Sequence, residues 1–322
     1  MSDVATPLRV RVHSVTWEAE GIFSYELRDP TGTALPAFTA GAHIDLNLPS
    51  GLVRSYSLVN PQSERHRYVV AVQKDRASRG GSTWVHDKLR TGDILTISAP
   101  RNNFPLAEDA KHSLLIAGGI GVTPLWCMMQ RLGALGRSAE LIYCVRTHKE
   151  AAFREAIAAL GEKAGVKVMF NFDGEPGGKM LDIAAATAAV APETHLYCCG
   201  PLPMLEAFEA ATKDLPRERV HVEYFTAKDA PAAEGGFTVV LARTGRSFQI
   251  APGKTILETL LDAGINVASS CLEGVCGTCE TKVLEGIPDH RDVVLTDSER
   301  KANKTMMICC SGSKTDKLVL DL

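Results

Sequence analysis

Three cysteines fall within ten residues, Cys271, Cys276 and Cys279 in CLEGVCGTCE (271–280), and Cys309 and Cys310 follow further on. Thiols crowded this closely must form bridges, bind a metal or pack in a core, and each choice restricts the fold. Bridges belong to oxidising compartments. The stretch MSDVATPLRVRVHSV has no basic segment followed by an apolar run, so the expectation is a cytoplasmic protein with reduced thiols. Structural zinc usually takes paired C-x-x-C knuckles, and Cys276 with Cys279 supplies one. C-x4-C-x2-C with a further Cys much later is instead the spacing of a 2Fe-2S cluster. Gly274 and Gly277 let the backbone bend tightly around such a core, and N–H groups of the turn can donate to its sulfides. The fourth ligand is then Cys309 or Cys310. The other four cysteines, Cys127, Cys144, Cys198 and Cys199, lie in apolar runs and read first as core residues.

At 322 residues the chain is long enough for two or three compact units. Its 45% hydrophobic and 23% charged residues are those of an ordinary globular protein, and a net charge of -3 argues against binding nucleic acid by phosphate neutralisation. No run of about 18 apolar residues suggests a membrane span.

Hydrophobic periodicity divides the chain into three. In the first hundred residues Leu8, Val10 and Val12 alternate with Arg9, Arg11 and His13, and Ile44, Leu46 and Leu48 alternate with Asp45 and Asn47. Short strands between Gly, Pro, Asn and Asp clusters predict an antiparallel barrel over 1–107. From 108 to 227 apolar strands alternate with helical stretches: 112–119, 139–146, 166–172 and 195–200 as strands, 123–135, 149–161, 181–190 and 203–212 as helices. That alternation predicts a doubly wound α/β domain, whose ligands bind at the C-terminal strand ends. TAKDAPAAEGG (226–236) breaks the pattern, so 228–236 reads as a linker. Over 237–322 a hairpin (237–253), a helix (255–264), the cysteine loop and a closing strand (317–322) make an α+β unit.

A 2Fe-2S cluster moves single electrons, so a source is needed upstream. AGGIGVTP (117–124) places Gly118, Gly119 and Gly121 between a buried strand and a helix opening near Thr123 and Pro124, where N–H groups and the helix dipole can receive a pyrophosphate. CGP (Cys199, Gly200, Pro201) ends a later strand. RSYSL (54–58) offers Arg54, whose planar fork suits phosphate. SRGGSTW (78–84) offers Gly80 and Gly81 for close backbone approach, with Ser82 and Thr83 as hydroxyl donors.

GGIGVTP, CGP and RSYS together resemble the ferredoxin reductase superfamily, and CLEGVCGTCE resembles the plant-type ferredoxins, in which 29 residues commonly separate the third and fourth ligands, the count from Cys279 to Cys309. In this order the three parts resemble the phthalate dioxygenase reductases, which include the vanillate O-demethylase reductases. The resemblance implies a flavin barrel, an NAD domain and a C-terminal β-grasp ferredoxin domain. It makes Cys271, Cys276, Cys279 and Cys309 the cluster ligands and turns Cys310 away into the core. Arg54 would serve the flavin phosphate, Tyr56 would lie against the ring, and Ser57, with Ser55 beside it, would stand near the reactive edge. RGGS (79–82) would hold the terminal phosphate of FMN, with FAD as the alternative. Ala71, Val72, Lys74 and Phe225 would line the flavin, and Cys199, with Ser57, would orient the rings. NADH is the implied donor; Arg146 could suit a 2′-phosphate, whereas Asp173 would resist one.

The implied activity is electron transfer from NADH through flavin and cluster to a Rieske-type oxygenase acting on an aromatic acid or similar compound, with Leu272, Glu273 and Val275 as docking candidates and His290 and Arg291 as structural residues. Alternatives are a stand-alone flavin reductase or diaphorase, a reductase for a P450-like oxygenase, and a non-enzymatic iron–sulfur carrier. Two anion-binding turns beside a flavin motif argue against the carrier.

Overall fold

The fold is seen in a computed structural model that describes residues 7–75, 78 and 80–322. Two compact units divide between Glu223 and Tyr224. The first begins with six strands, β1 (Leu8–Ala19), β2 (Ile22–Arg28), β3 (His43–Asn47), β4 (Val53–Ser57), β5 (Tyr68–Gln73) and β6 (Ile94–Ile97). All pairings are antiparallel, in the order β4-β3-β6-β1-β2-β5. The two edges meet where Leu58, just after β4, bridges Val70 of β5 and the Val59 N–H donates to the Val69 carbonyl at 2.9 Å. That contact makes the sheet a barrel and removes its free edges. As the alternation predicts, Val10, Val12, Ile44 and Leu46 are buried while Arg9, Arg11 and His13 face solvent. A helix absent from the sequence expectation, α1 (Gly81–Lys88), grows out of SRGGSTW.

Five parallel strands follow: β7 (His112–Gly118), β8 (Ser138–Val145), β9 (Lys167–Phe172), β10 (His195–Cys199) and β11 (Val220–Glu223). Their order is β11-β10-β7-β8-β9, so the chain winds outward one way from β7 and then returns to its other side. The switch point lies between β7 and β10, where such sheets leave a crevice for a ligand. The connecting helices are α2 (Val122–Ala134), α3 (Arg154–Ala164), α4 (Ile183–Ala188) and α5 (Leu202–Thr212). α3 starts later than predicted because Phe153 turns left-handed at φ 59°, after a single 3-10 turn at His148–Glu150. α2 fastens this sheet to the barrel: Gln130 Nε2 donates to the Val59 carbonyl at 2.7 Å and Cys127 Sγ to the Asn60 carbonyl at 3.3 Å.

The second unit contains β12 (Thr238–Leu241), β13 (Ser247–Gln249), α6 (Ile256–Asp262), β14 (Glu280–Glu285), β15 (Pro288–Asp289), α7 (Asp297–Ala302), β16 (Thr305–Met307), β17 (Gly312–Ser313) and β18 (Lys317–Leu320). The main sheet runs β13-β12-β18-β14-β16, with β12 and β18 parallel and the other pairs antiparallel. Ile256, Leu257 and Leu260 of α6 join Val239, Leu241, Leu318 and Leu320 in its core. Both helices begin with a capping box, Thr255 with Glu258 and Thr296 with Glu299. The segment expected as a linker is tied into this unit, since the N–H groups of Ala232 and Gly236 donate to Cys310 and Ile250 carbonyls at 2.8 Å. Among the described residues no helix is long and apolar enough to cross a membrane.

Candidate redox centre and cofactor sites

The cysteine loop lies between α6 and β14. Leu272, Gly274 and Gly277 take left-handed φ values of 63°, 70° and 75°, which coil the chain back on itself three times in six residues. Glycine adopts this freely, whereas Leu272 is held there with its side chain 45% exposed. The coil aims the Glu273 and Val275 N–H groups at Cys271, with Glu273 N 3.4 Å from its sulfur. Convergent N–H groups of this kind form an anion-binding nest. Cys271 contacts the thiols of Cys276 and Cys309, and Cys309 contacts that of Cys279, all four being buried. Contact between the sulfurs draws Cys271 and Cys279 below the ordinary thiol range and pushes Cys276 and Cys309 above it.

These contacts run in a line, Cys276 to Cys271 to Cys309 to Cys279, whose ends are two thiol pairs. A two-iron core takes two thiolates on each iron, so the paired donors fit it. Cys310 lies in the core of this unit, and its thiol also touches that of Cys309, while its sulfur would lie 2.4 Å from a Cβ placed on Gly274.

On the barrel, Arg54 of β4 lies across the start of α1. A Cβ on Gly81 would fall 2.6 Å from Arg54 Nε and 2.7 Å from its Cγ, so only glycine admits this packing. Gly80 begins the helix at φ 93° and has no side chain to cap it, while Ser78 Oγ accepts from the Thr83 N–H at 3.4 Å. The first-turn N–H groups, the helix dipole and the guanidinium therefore gather in one place, which suits a phosphate. The Ser82 hydroxyl accepts from the Asp75 N–H at 3.2 Å and bonds Ser78 at 3.1 Å, so it braces the turn. Thr83 follows in the first turn of α1, and Arg79 lies outside the described residues.

Strand alternation separates the RSYS residues. Burial pushes the Tyr56 phenol up to about 12, against the pull of nearby Arg54. Ser55 on the opposite face donates to Asp45 at 2.7 Å, and Asp45 pairs with Arg101 at 2.7 Å. Ser57 is buried opposite His43. Ala71 and Val72 are buried in β5, and the Val72 carbonyl is bonded to His86 Nε2 at 2.8 Å. Lys74 forms an exposed ion pair with Asp87 at 2.7 Å. Phe225 falls in the second unit and is partly buried there.

At the switch point, AGGIG and CGP close on each other through glycine. A Cβ on Gly118 would meet Pro201 at 2.6 Å, one on Gly121 would meet the Cys199 carbonyl at 2.2 Å, and one on Gly200 would lie 3.0 Å from Gly118 Cα. Gly119 differs, with φ 53° and open space where a side chain would stand. α2 opens at Val122 from an uncapped Gly121. Thr123 is buried with its hydroxyl on the Ile120 carbonyl at 2.9 Å, and Pro124 is buried beside it. Cys199 is fully buried, which raises its thiol well above the usual range. Its strand partner Glu223 buries Oε2 without a hydrogen-bond partner, and burial raises this carboxyl to about 8.

Residues 115–210 match the oxidoreductase NAD-binding domain family, and residues 239–313 match the 2Fe-2S iron–sulfur cluster binding domain family. Over 324 residues and the whole of both chains, this one is 52% identical to the phenoxybenzoate dioxygenase subunit beta of Ectopseudomonas oleovorans. It is also 52% identical, with the same coverage, to the tetrachlorobenzoquinone reductase of Sphingobium chlorophenolicum. The solved phthalate dioxygenase reductase, described as a modular structure for electron transfer from pyridine nucleotides to 2Fe-2S, superposes with a TM-score of 0.74 at 41% identity, covering 98% of each chain.

The chain belongs to the phthalate dioxygenase reductase family.

It is an NAD(P)H-dependent flavin and iron–sulfur oxidoreductase with antiparallel flavin-binding, parallel NAD-binding and mixed ferredoxin sheets. In this member of the family, several groups near the sites carried no sequence signal. His86 stacks on Phe23 at 4.8 Å between rings while it holds β5. Glu223 reads as an ordinary strand-end carboxylate until the sheet places it beside Cys199. Only the register of two strands joined through the long α5 crossover could have exposed it.

Proposed function

We propose that this chain is the reductase component of a multicomponent oxygenase, with a Rieske-type oxygenase acting on an aromatic acid or similar small compound as its electron acceptor. The observation that carries this reading is the arrangement of the four cysteines as two thiol pairs in a chain that also holds a flavin barrel and a nucleotide crevice. When bound, the flavin converts the hydride of NADH into single electrons and the cluster passes them on.

The residues supply binding and orientation. Arg54, Gly80, Gly81 and the first turn of α1 receive a flavin phosphate; FMN is favoured over FAD by the resemblance to the phthalate dioxygenase reductases. The Tyr56 phenol stays protonated in the working pH range and can pack against a ring without adding charge. Gly119 and the start of α2 receive the pyrophosphate of the donor. NADH is favoured over NADPH because Asp173, whose N–H bonds the Val145 carbonyl at 3.2 Å, stands beside Arg146 at adjoining strand ends and opposes a further negative charge. Cys271, Cys276, Cys279 and Cys309 hold the cluster. The functional boundaries are then 1–107, 108–227 and 237–322, with 228–236 between.

The equal identity to a quinone reductase favours a second reading, in which a benzoquinone takes electrons directly from the flavin. An anaerobic NADH titration followed by absorbance and low-temperature EPR tests the electron chain that the first reading needs. Flavin bleaching with a rhombic 2Fe-2S signal, lost in Cys276→Ser, establishes transfer from flavin to cluster, and reduction of an oxygenase against reduction of a benzoquinone then decides the acceptor. Bleaching with no EPR signal sinks the first reading and leaves a simple flavin reductase.

A further inference from the structure

Beneath the cysteine loop lies a buried charged group with no part in ligation. Asp292 is 2% exposed and its side chain is wholly buried. Its Oδ2 accepts from the Val294 and Leu295 N–H groups at 3.1 and 2.8 Å, while its Oδ1 is buried with no hydrogen-bond partner. Two other orphans face it. His290 Nδ1 lies 3.8 Å from Oδ1, and Arg300, whose Nη2 donates to the Asp292 carbonyl and stands 3.9 Å from Oδ2, leaves Nε buried and unbonded. His290 Nε2 is anchored to Asn303 Oδ1 at 3.3 Å.

This group touches the loop directly. The N–H of Val293 donates to the Gly274 carbonyl at 3.0 Å, and a Cβ on Gly274 would fall 3.0 Å from Asp292 Cα and 3.2 Å from its Cβ. Gly274 is thus held between Asp292 on one side and Cys310 on the other, midway between Cys271 and Cys276. A fully buried carboxylate with one unsatisfied oxygen is costly for folding, and hydrogen bonding from Val294 and Leu295 could have been supplied by a neutral asparagine. The carboxylate's distinct contribution is its charge, held in a low-dielectric setting where it acts strongly on a neighbouring centre.

We infer that Asp292 and Arg300 are positioning residues that set the reduction potential of the cluster in opposite directions, the buried Asp292 carboxylate acting against the Gly274 turn and the Arg300 guanidinium, its side chain 33% exposed, acting through its pairing with Asp292. The inference rests on the four cysteines holding the cluster. One electron enters the cluster from the reduced flavin and leaves to the acceptor, and Asp292 and Arg300 exchange neither electrons nor protons with it. Reduction adds one negative charge. The Asp292 carboxylate therefore disfavours it, and the Arg300 guanidinium favours it.

The experiment is an EPR-monitored redox titration of full-length protein, with iron and acid-labile sulfide measured alongside, for wild type, Asp292→Asn, Arg300→Gln and Arg300→Lys. Asparagine keeps an acceptor for Val294 and Leu295 and can donate to His290 Nδ1, and glutamine can still donate to the Asp292 carbonyl. The midpoint potential should move up in Asp292→Asn, down in Arg300→Gln, and return toward wild type in Arg300→Lys, with a rhombic signal throughout. A purely structural role would not produce shifts of opposite sign. Unmoved potentials, or shifts in the same direction, overturn the inference. Should Asp292→Asn lose iron, the arginine pair decides alone: a fall in Arg300→Gln restored by lysine supports the inference, and no fall overturns it. A wild-type protein without iron or a rhombic signal would instead overturn the cluster assignment and the inference with it.

Discussion

Arg54 and Gly81 make one device although 26 residues lie between them. The arginine can lie across the start of α1 only because the glycine has no Cβ, so Gly81→Ala should displace the guanidinium while leaving the barrel intact. Charge-assisted bonds of this kind contribute about 1.5–3 kcal/mol, and loss of one should weaken flavin binding by about tenfold to a hundredfold. Quenching of flavin fluorescence on titration with apoprotein measures it. Gly81→Ala and Arg54→Ala should weaken binding alike, and the double variant should add little, since both remove the same contact. Additive losses would mean that the two act separately. Residue type marked Arg54 and the glycines in the sequence but could not show direction. Ser55 faces Asp45 and Thr123 bonds the Ile120 carbonyl, because strand pleat and helix turn, not residue type, decide where a hydroxyl points.

Strands and helices were legible wherever the apolar period was long, as in β7, β8 and α2, and less so where one backbone torsion intervenes, as at Phe153 before α3 or Gly80 before α1. Strand register was not legible, and β11 shows its consequence. His221 stacks on Tyr197 of β10 at 4.3 Å between rings, and burial with neighbouring His195 and Arg217 lowers it to about 4. The unfolded chain takes up that proton near 6.5, so this histidine's contribution to stability is present above 6.5 and lost as pH falls through about 4. At the other end of the strand Glu223 is raised to about 8 from 4.5. Its contribution has the opposite sign, being present below 4.5 and lost as pH rises through about 8. Urea unfolding across this range should therefore show Glu223→Gln more stable than wild type at alkaline pH by several kcal/mol and little different near pH 5. His221→Phe should keep the ring stack and flatten the acid limb alone. If Glu223→Gln tracks wild type at alkaline pH, its carboxyl is not held protonated by the fold.

Over the whole molecule the decisive quantity is how many electrons leave at a time and from where. Electrons enter in pairs from NADH, and a one-electron acceptor must draw them through the cluster, which in plant-type centres sits at roughly -400 mV. A quinone can accept a pair at the flavin without that detour. Cys276→Ser removes one thiol from the Cys276–Cys271 pair, so the two routes should part. Reduction of a Rieske-type oxygenase should fall to background, while NADH oxidation by a benzoquinone or a dye should continue at the wild-type rate. Gly121→Ala should slow both routes together, because its Cβ would press within 2.2 Å of the Cys199 carbonyl and distort the nucleotide crevice upstream of the branch. Stopped-flow traces of flavin bleaching distinguish the two lesions: unchanged in Cys276→Ser, slowed in Gly121→Ala. If quinone reduction also disappears in Cys276→Ser although the flavin still bleaches, electrons reach every acceptor through the cluster, and the quinone activity is a second output of the same chain.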